Sequence, residues 1–210
     1  MFDITTAVDK IWIAKLKFGP NYFQICWETV RYRTLFFKSL KDKSDKIWKQ
    51  FRCLSKMPLN KRFLVRPLTQ TDAGTISAFM RSQSIDYMRF FTAFNSDESV
   101  IAEMLAMCKI DVYSGVFWQD NLVGIFMLRG WDAGFEIPSF GVLIDQKYRG
   151  GAFMRLTLDI AKLICKLSGA KQLMAKIHPD NVSPRGARRL GLHQTGVEES
   201  TGNIIYHLEL

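Results

Sequence analysis

The chain has 210 residues, 48% apolar and 23% charged, enough to bury a full core, which excludes a disordered or low-complexity protein. Lys and Arg number 29 against 20 Asp and Glu, and the first 58 residues hold most of the excess, with 12 basic and 5 acidic side chains. No run of about 18 apolar residues is present to cross a bilayer, so membrane-spanning classes are excluded.

Residues 1–58 also carry 11 of the 27 aromatics. Leu35, Phe36, Leu40, Ile47, Trp48, Phe51 and Leu54 recur at helical spacing, with Lys38, Lys41, Lys43, Lys46, Lys49 and Arg52 between them. This segment is expected to be a basic, aromatic-rich helical extension. Its apolar stripe has three open uses: packing on the folded core or a second subunit, peripheral contact with an anionic membrane, and, least favoured, nucleic-acid binding. Met57-Pro58-Leu59-Asn60 reads as a hinge, because proline disfavours helix in the residue before it. A second domain then covers 59–210.

Beyond the hinge the elements alternate. Arg62–Pro67 is expected as a strand, and Thr71–Ser82 as a helix. Residues 84–96 form an aromatic-rich helix or loop, and Ser96, Asp97 and Glu98 cap a helix ending at Met107. Asp111–Trp118 and Leu122–Gly130 make a hairpin around Gln119-Asp120-Asn121. Phe135–Ile144 is the central strand and Gly151–Ser168 a long amphipathic helix stopped by Gly169. Gln172–Ile177 is a strand, Asn181–Leu190 a short helix and Asn203–Leu210 the last strand. Cys26, Cys53, Cys108 and Cys165 are scattered, in no zinc or disulfide pattern. With no secretory signal at the N-terminus, the expectation is a cytoplasmic protein without metal.

The most informative stretch is 142–152, Val-Leu-Ile-Asp-Gln-Lys-Tyr-Arg-Gly-Gly-Ala. A β-branched run stops at Asp145, and two glycines precede the long helix. The first N–H groups of a helix have no internal partner, and the peptide dipoles add partial positive charge there. Glycines let a phosphate approach the backbone, and Arg149 adds a fixed cation. The pattern suits a diphosphate.

Lys147-Tyr148-Arg149-Gly150-Gly151-Ala152 resembles the acyl-CoA pyrophosphate loop of the GNAT family of N-acetyltransferases, Gln/Arg-x-x-Gly-x-Gly/Ala, with Lys147 at the Gln/Arg position. A register starting at Arg149, with Ala152 and Met154 at the small positions, puts the same backbone at the phosphates. Ile177-His178-Pro179-Asp180-Asn181 is similar to the family's next strand end, and Arg189-Leu190-Gly191-Leu192 to its closing turn. The resemblance covers about residues 62–210. It implies a GNAT fold, a central mixed and twisted sheet flanked by helices, and transfer of an acetyl group from acetyl-CoA to a primary amine.

On that resemblance, Lys147, Arg149, Gly150, Gly151, Ala152, Phe153 and Met154 hold the pyrophosphate. The strand edge Val142, Leu143 and Ile144 pairs with the amide-rich pantetheine arm, and Asn181 contacts the same arm or simply caps a helix. Glu136 is the expected general base, 13 residues before Arg149 and partly desolvated on the central strand, with Asp132 as substitute. The family's usual tyrosine acid, four residues before the glycine of the closing turn, is replaced by Ala187. Ser183, Tyr87 and His178 are the candidates left, with Ser183 preferred as a relay through water. Tyr87, Phe90, Phe91 and Phe94 are expected to roof a pocket for a small amine acceptor such as an amino sugar, although their spacing also suits core packing. The alternatives are a non-catalytic CoA-binding or targeting module and a protein- or RNA-directed acetyltransferase.

Overall fold

The protein, in a computed structural model, is described over residues 7–8, 11–18, 21–27, 63–118, 120–149, 152–181 and 183–210. Among the described residues ten strands form one sheet: β1 (Ala7–Val8), β2 (Ile11–Phe18), β3 (Asn21–Trp27), β4 (Phe63–Pro67), β5 (Val112–Trp118), β6 (Asn121–Arg129), β7 (Ser139–Ile144), β8 (Gln172–Ile177), β9 (His193–Val197) and β10 (Ile204–Glu209). Their order is β1-β2-β3-β4-β5-β6-β7-β8-β10-β9. From β4 to β7 the strands run antiparallel, β7 and β8 run parallel, and β8, β10 and β9 are antiparallel again. The described helices are α1 (Ala73–Arg81), α2 (Ile85–Met88), α3 (Glu98–Met107), α4 (Ala152–Leu167) and α5 (Ser183–Arg189).

The mixed α/β sheet expected for 59–210 is present. Each face buries its own core, because residues along a strand alternate between faces. On one face Phe126, Leu128, Phe140, Leu173 and Tyr206 meet Phe153, Leu156, Ile160 and Ile164 of α4. On the other, Ile125 and Leu143 meet Ile76, Phe79 and Met80 of α1 and Ile101 of α3. Asp72 fixes the start of α1: its carboxylate accepts from Thr69 N–H at 2.8 Å and pairs with Arg66 through both oxygens, at 2.6 and 2.7 Å. Gly169 ends α4 in the left-handed region (φ +83°), where a side chain would be strained.

Two expectations are corrected, the helix over 11–27 and the start of the central strand. Ile11–Phe18 and Asn21–Trp27 are paired strands rather than helix; Trp12, Ala14, Leu16 and Phe18 alternate with Ile13, Lys15 and Lys17, the period of a strand. The basic helix expected over 35–54 lies outside the described residues. The central strand begins at Ser139, not Phe135, because Gly134 (φ +85°) sits in a turn and Pro138 has no N–H to give a ladder. Within 84–96 only Ile85–Met88 is helical. Strand β9 was not foreseen, since His-Gln-Thr-Gly-Val shows little apolar alternation and lies mostly exposed at the sheet edge.

Candidate active site

Strands β7 and β8 are parallel but share a single bridge, Ser139 with Met174, beside which Met174 N–H donates to Pro138 O at 3.0 Å. Past it the strands separate. Strand β6 occupies the other edge of β7 along its whole length, and Asp145 N–H continues that ladder to Val123 O at 2.9 Å. In an antiparallel ladder, alternate residues turn their main-chain groups to opposite edges. Ser139, Gly141 and Leu143 therefore spend theirs on β6, while Phe140, Val142 and Ile144 turn theirs into the split. A cleft of about 1020 Å³ occupies it, with Phe140 and Val142 on one wall and Ala175 and Ile177 on the other.

This alternation sorts the strand residues expected to hold the pantetheine arm. Val142 lines the cleft with its main chain toward the gap. Leu143 is bonded to β6 and buried in the core beneath α1, so it offers nothing to an arm lying in the split. The Ile144 carbonyl faces the gap but accepts the Tyr87 hydroxyl at 2.6 Å.

At the open end of the split, a short 3₁₀ turn, Gln146–Tyr148, leads to α4, and the Asp145 carboxylate caps it by accepting from Lys147 N–H at 2.9 Å. Lys147 and Arg149 are exposed. Gly150 and Gly151 lie outside the described residues, and Ala152 begins α4. The Phe153 side chain is buried against Tyr148, ring centroids 5.6 Å apart, so only its N–H can serve an anion in front of the helix. Met154 and Asn181 both line the cleft.

Helix α2 is fastened to this loop. Ser84 N–H and hydroxyl both donate to Gln146 Oε1, Gln146 N–H donates to Gln83 Oε1, and the Arg149 guanidinium lies 4.9 Å from the Tyr87 ring centroid. Burial raises the Tyr87 phenol above its ordinary value, against the pull of Arg149. Tyr87 is thus a tie between α2 and β7 and does not line the cleft, which corrects its expected place in an acceptor roof. Phe94 also packs in the core, edge-on to Phe91 at 5.2 Å. Phe90 and Phe91 do line the cleft, and Phe90 stacks near His178 with centroids 5.1 Å apart.

The mouth holds several carboxylates, and hydrogen bonds separate their roles. Asp132 accepts from Lys109 and Ile110 N–H at 3.0 and 2.7 Å, so it caps a turn. Asp111 accepts from Asp132 N–H at 3.1 Å. Glu198 is paired with Lys176 and Thr201, and these bonds hold its carboxyl below the usual range, which weakens it as a base. Glu136 lies between Phe135 and Ile137, both lining the cleft. It is exposed in the loop before β7, not partly desolvated on a strand as expected, and it makes no hydrogen bond or ion pair among the described residues. Ser183 begins α5, but its side chain is outside the described residues. His178 lines the cleft with Nδ1 accepting from Asp180 N–H at 3.2 Å. Ala187 is buried at the cleft wall.

Sequence reasoning missed Arg129, Lys176, Glu198 and Thr201, all lining the mouth. The alternation in Gln172–Ile177 could have marked Lys176. The turn between β9 and β10 carried no signal without β9.

The chain matches the family model described as an acetyltransferase (GNAT) domain over residues 62–193. Solved structures share the fold. The ribosomal-protein-S5-alanine acetyltransferase of Vibrio fischeri aligns at TM-score 0.59 and 16% identity, covering 70% of this chain and 92% of its own. The PaiA N-acetyltransferase of Thermoplasma acidophilum, in complex with coenzyme A, aligns at 0.59 and 13% identity, covering 71% and 99%. Mycobacterium smegmatis RimJ, in complex with CoA-disulfide, aligns at 0.56 and 12%, covering 69% and 80%. At these identities the likeness is one of fold. No curated protein matches the chain.

Proposed function

Because the chain belongs to the GNAT family of acetyltransferases, we propose that it moves an acetyl group from acetyl-CoA to the primary amine of a small acceptor. The observation that carries this reading is the split between β7 and β8, closed at one end by a single bridge and open at the other toward the N-terminus of α4. Orphan N–H groups at that helix end, with Arg149, suit the pyrophosphate. The main-chain groups of Val142 suit the amides of an extended arm. An arm seated this way delivers its thioester toward the closed end, and the acceptor enters from the mouth lined by Phe90, Phe91, Phe135 and His178.

In the transfer, the neutral amine nitrogen attacks the thioester carbon, a C–N bond forms, and the C–S bond breaks to give the amide and CoA. The protein places the two reactants together and takes up the proton the nitrogen releases. Glu136, beside the cleft-lining Phe135 and Ile137, is the base in this reading, because the carboxylates that line the mouth, Asp111, Asp132 and Glu198, are spent on capping or ion pairing. Its exposure puts a water between carboxylate and amine.

A second acceptor class, the α-amine of a polypeptide, is favoured by the width of the mouth, which runs from Phe90 to Thr201. The name of one structural neighbour, the ribosomal-protein-S5-alanine acetyltransferase, points the same way. Thiol release from acetyl-CoA, measured over a panel of amino sugars, other small amines and short peptides with free N-termini, tests the proposal. Turnover with a small amine and none with peptides is expected. Turnover with peptides alone moves the acceptor to the second class, and none with any acceptor leaves a CoA-binding module.

A further inference from the structure

Arg129 is a half-buried cation that lines the cleft and pairs with no carboxylate among the described residues. It donates one N–H to Ala93 O at 3.0 Å, which ties it to the segment carrying Phe90 and Phe91 and leaves the rest of its fork unspent. The other cations of the mouth are placed differently. Lys176 is paired with Glu198, and Arg89 is exposed, over the Phe90 ring at 4.5 Å. A charge that has lost part of its hydration without gaining a counter-charge is destabilising, and an anionic ligand would relieve it.

Register sets Arg129 beside the chemistry. It stands opposite Ser139 across the β6–β7 ladder, and Ser139 bridges to Met174 where the split closes. Directly opposite residues share a face, with Cβ atoms within about 5.5 Å. Ser139 also lines the cleft, and its hydroxyl has no hydrogen-bond partner among the described residues. A guanidinium fork and an uncommitted hydroxyl thus rise from neighbouring points, one strand spacing (about 4.8 Å) apart, at the end where an arm would present its thioester.

We propose that Arg129, with Ser139 beside it, binds a carboxylate on the acceptor, so that the substrate class is a small amino acid. The inference rests on the acetyl-CoA reading above. The planar fork matches the two oxygens of a carboxylate, and the hydroxyl donates to one of them. Held there, the acid leaves an amine a few bonds away to meet the thioester carbon. Asp111 and Asp132 line the same mouth and would repel a phosphate dianion more than a carboxylate. The amino end of a polypeptide has no main-chain carboxylate so close, so the same contact favours free amino acids over peptides.

Thiol release from acetyl-CoA tests this over straight-chain amino acids of graded length and over L-amino acids, each set against its own primary amide. The amide keeps the amine and removes the charge. The acid-to-amide ratio of kcat/KM is expected to fall at least about tenfold in Arg129→Gln, with the KM for acetyl-CoA unchanged. Comparing ratios between proteins cancels the different basicity of the two amines. A merely structural role would lower both activities together, and an unaltered ratio would overturn the proposal. Ser139→Ala should lower the ratio by about threefold, and it carries the test should Arg129→Gln melt early. Preference for an amine bearing phosphate over the matching acid would also overturn it. Calorimetry on the CoA-loaded protein keeps this inference apart from the enzyme reading. Acid bound more tightly than amide by the wild type but not by Arg129→Gln, without turnover, would sink the enzyme reading and uphold the carboxylate site. Acid and amide bound equally, or neither bound, would sink the site whatever the turnover.

Discussion

In the proposed reading the two ends of the cleft recognise their ligands in different ways. At the open end of the split that reading relies on main-chain groups: the first N–H groups of α4 and the edge of Val142. At the mouth it relies on side chains brought from β6, the loop before β7, the end of β8 and the turn between β9 and β10. Backbone recognition needs small residues at fixed spacing, so it leaves a mark in one short stretch of sequence. Side-chain recognition is assembled from segments far apart, and each residue taken alone looks like any surface charge.

Substitutions can break or sharpen this contrast. The largest effect is expected from Glu136→Gln, which should cut kcat by about 10² to 10⁴, the range of a general base, with CoA affinity preserved in calorimetry. Activity should partly return at high pH, where more of the acceptor amine is already neutral. Full activity at neutral pH would assign the proton to water alone and make the mouth a binding surface only. Gly150→Val should act the other way round, raising the KM for acetyl-CoA by about tenfold or more while the KM for the acceptor changes little. Unchanged CoA affinity in that variant would refute backbone recognition at the open end.

The smallest effect on chemistry is expected from Asp72→Asn, far from both ends. Burial alone would raise the Asp72 carboxyl, but the Arg66 guanidinium and the Thr69 N–H more than offset it and hold it below its ordinary value of 3.8. A carboxyl lowered in the folded state stabilises the fold fully above its unfolded value, and that contribution is lost as pH falls through the folded one. Asp72→Asn should therefore cost about 2 kcal/mol at neutral pH, read as a lower thermal midpoint, and the gap from wild type should narrow below about pH 4. Turnover per folded molecule should not change.

Much of the fold was legible because β4 to β8 and α4 carry strong periodicity. Gln172–Ile177 matches its expected bounds, and α4 is displaced by one residue at each end. What the residues hid was tertiary. Nothing in Tyr87 announces that its hydroxyl closes on Ile144 O. The strand assigned to Glu136 dissolves because Pro138 has no N–H, a warning the sequence carried beside a pattern that argued for a strand. Leu143 and Val142 look alike in sequence, and only the register with β6 decides which of them faces the gap.

The ties between residues 83–87 and 144–146 bear on traffic through the site. Four hydrogen bonds join these segments, one of them to the carbonyl that ends β7. Lifting α2 would strip those bonds and pull on the end of β7, so α2 and the loop before α4 form one braced unit. At the mouth, Asp132 is bonded to Lys109 and Ile110, and Glu198 is bonded to Thr201 in its own turn and to Lys176 of β8, which ties that turn to the cleft wall. In the proposed reading, room for an acceptor would come from the loop that Asp132 holds, since moving α2 would disturb the end of β7 beside the proposed CoA seat.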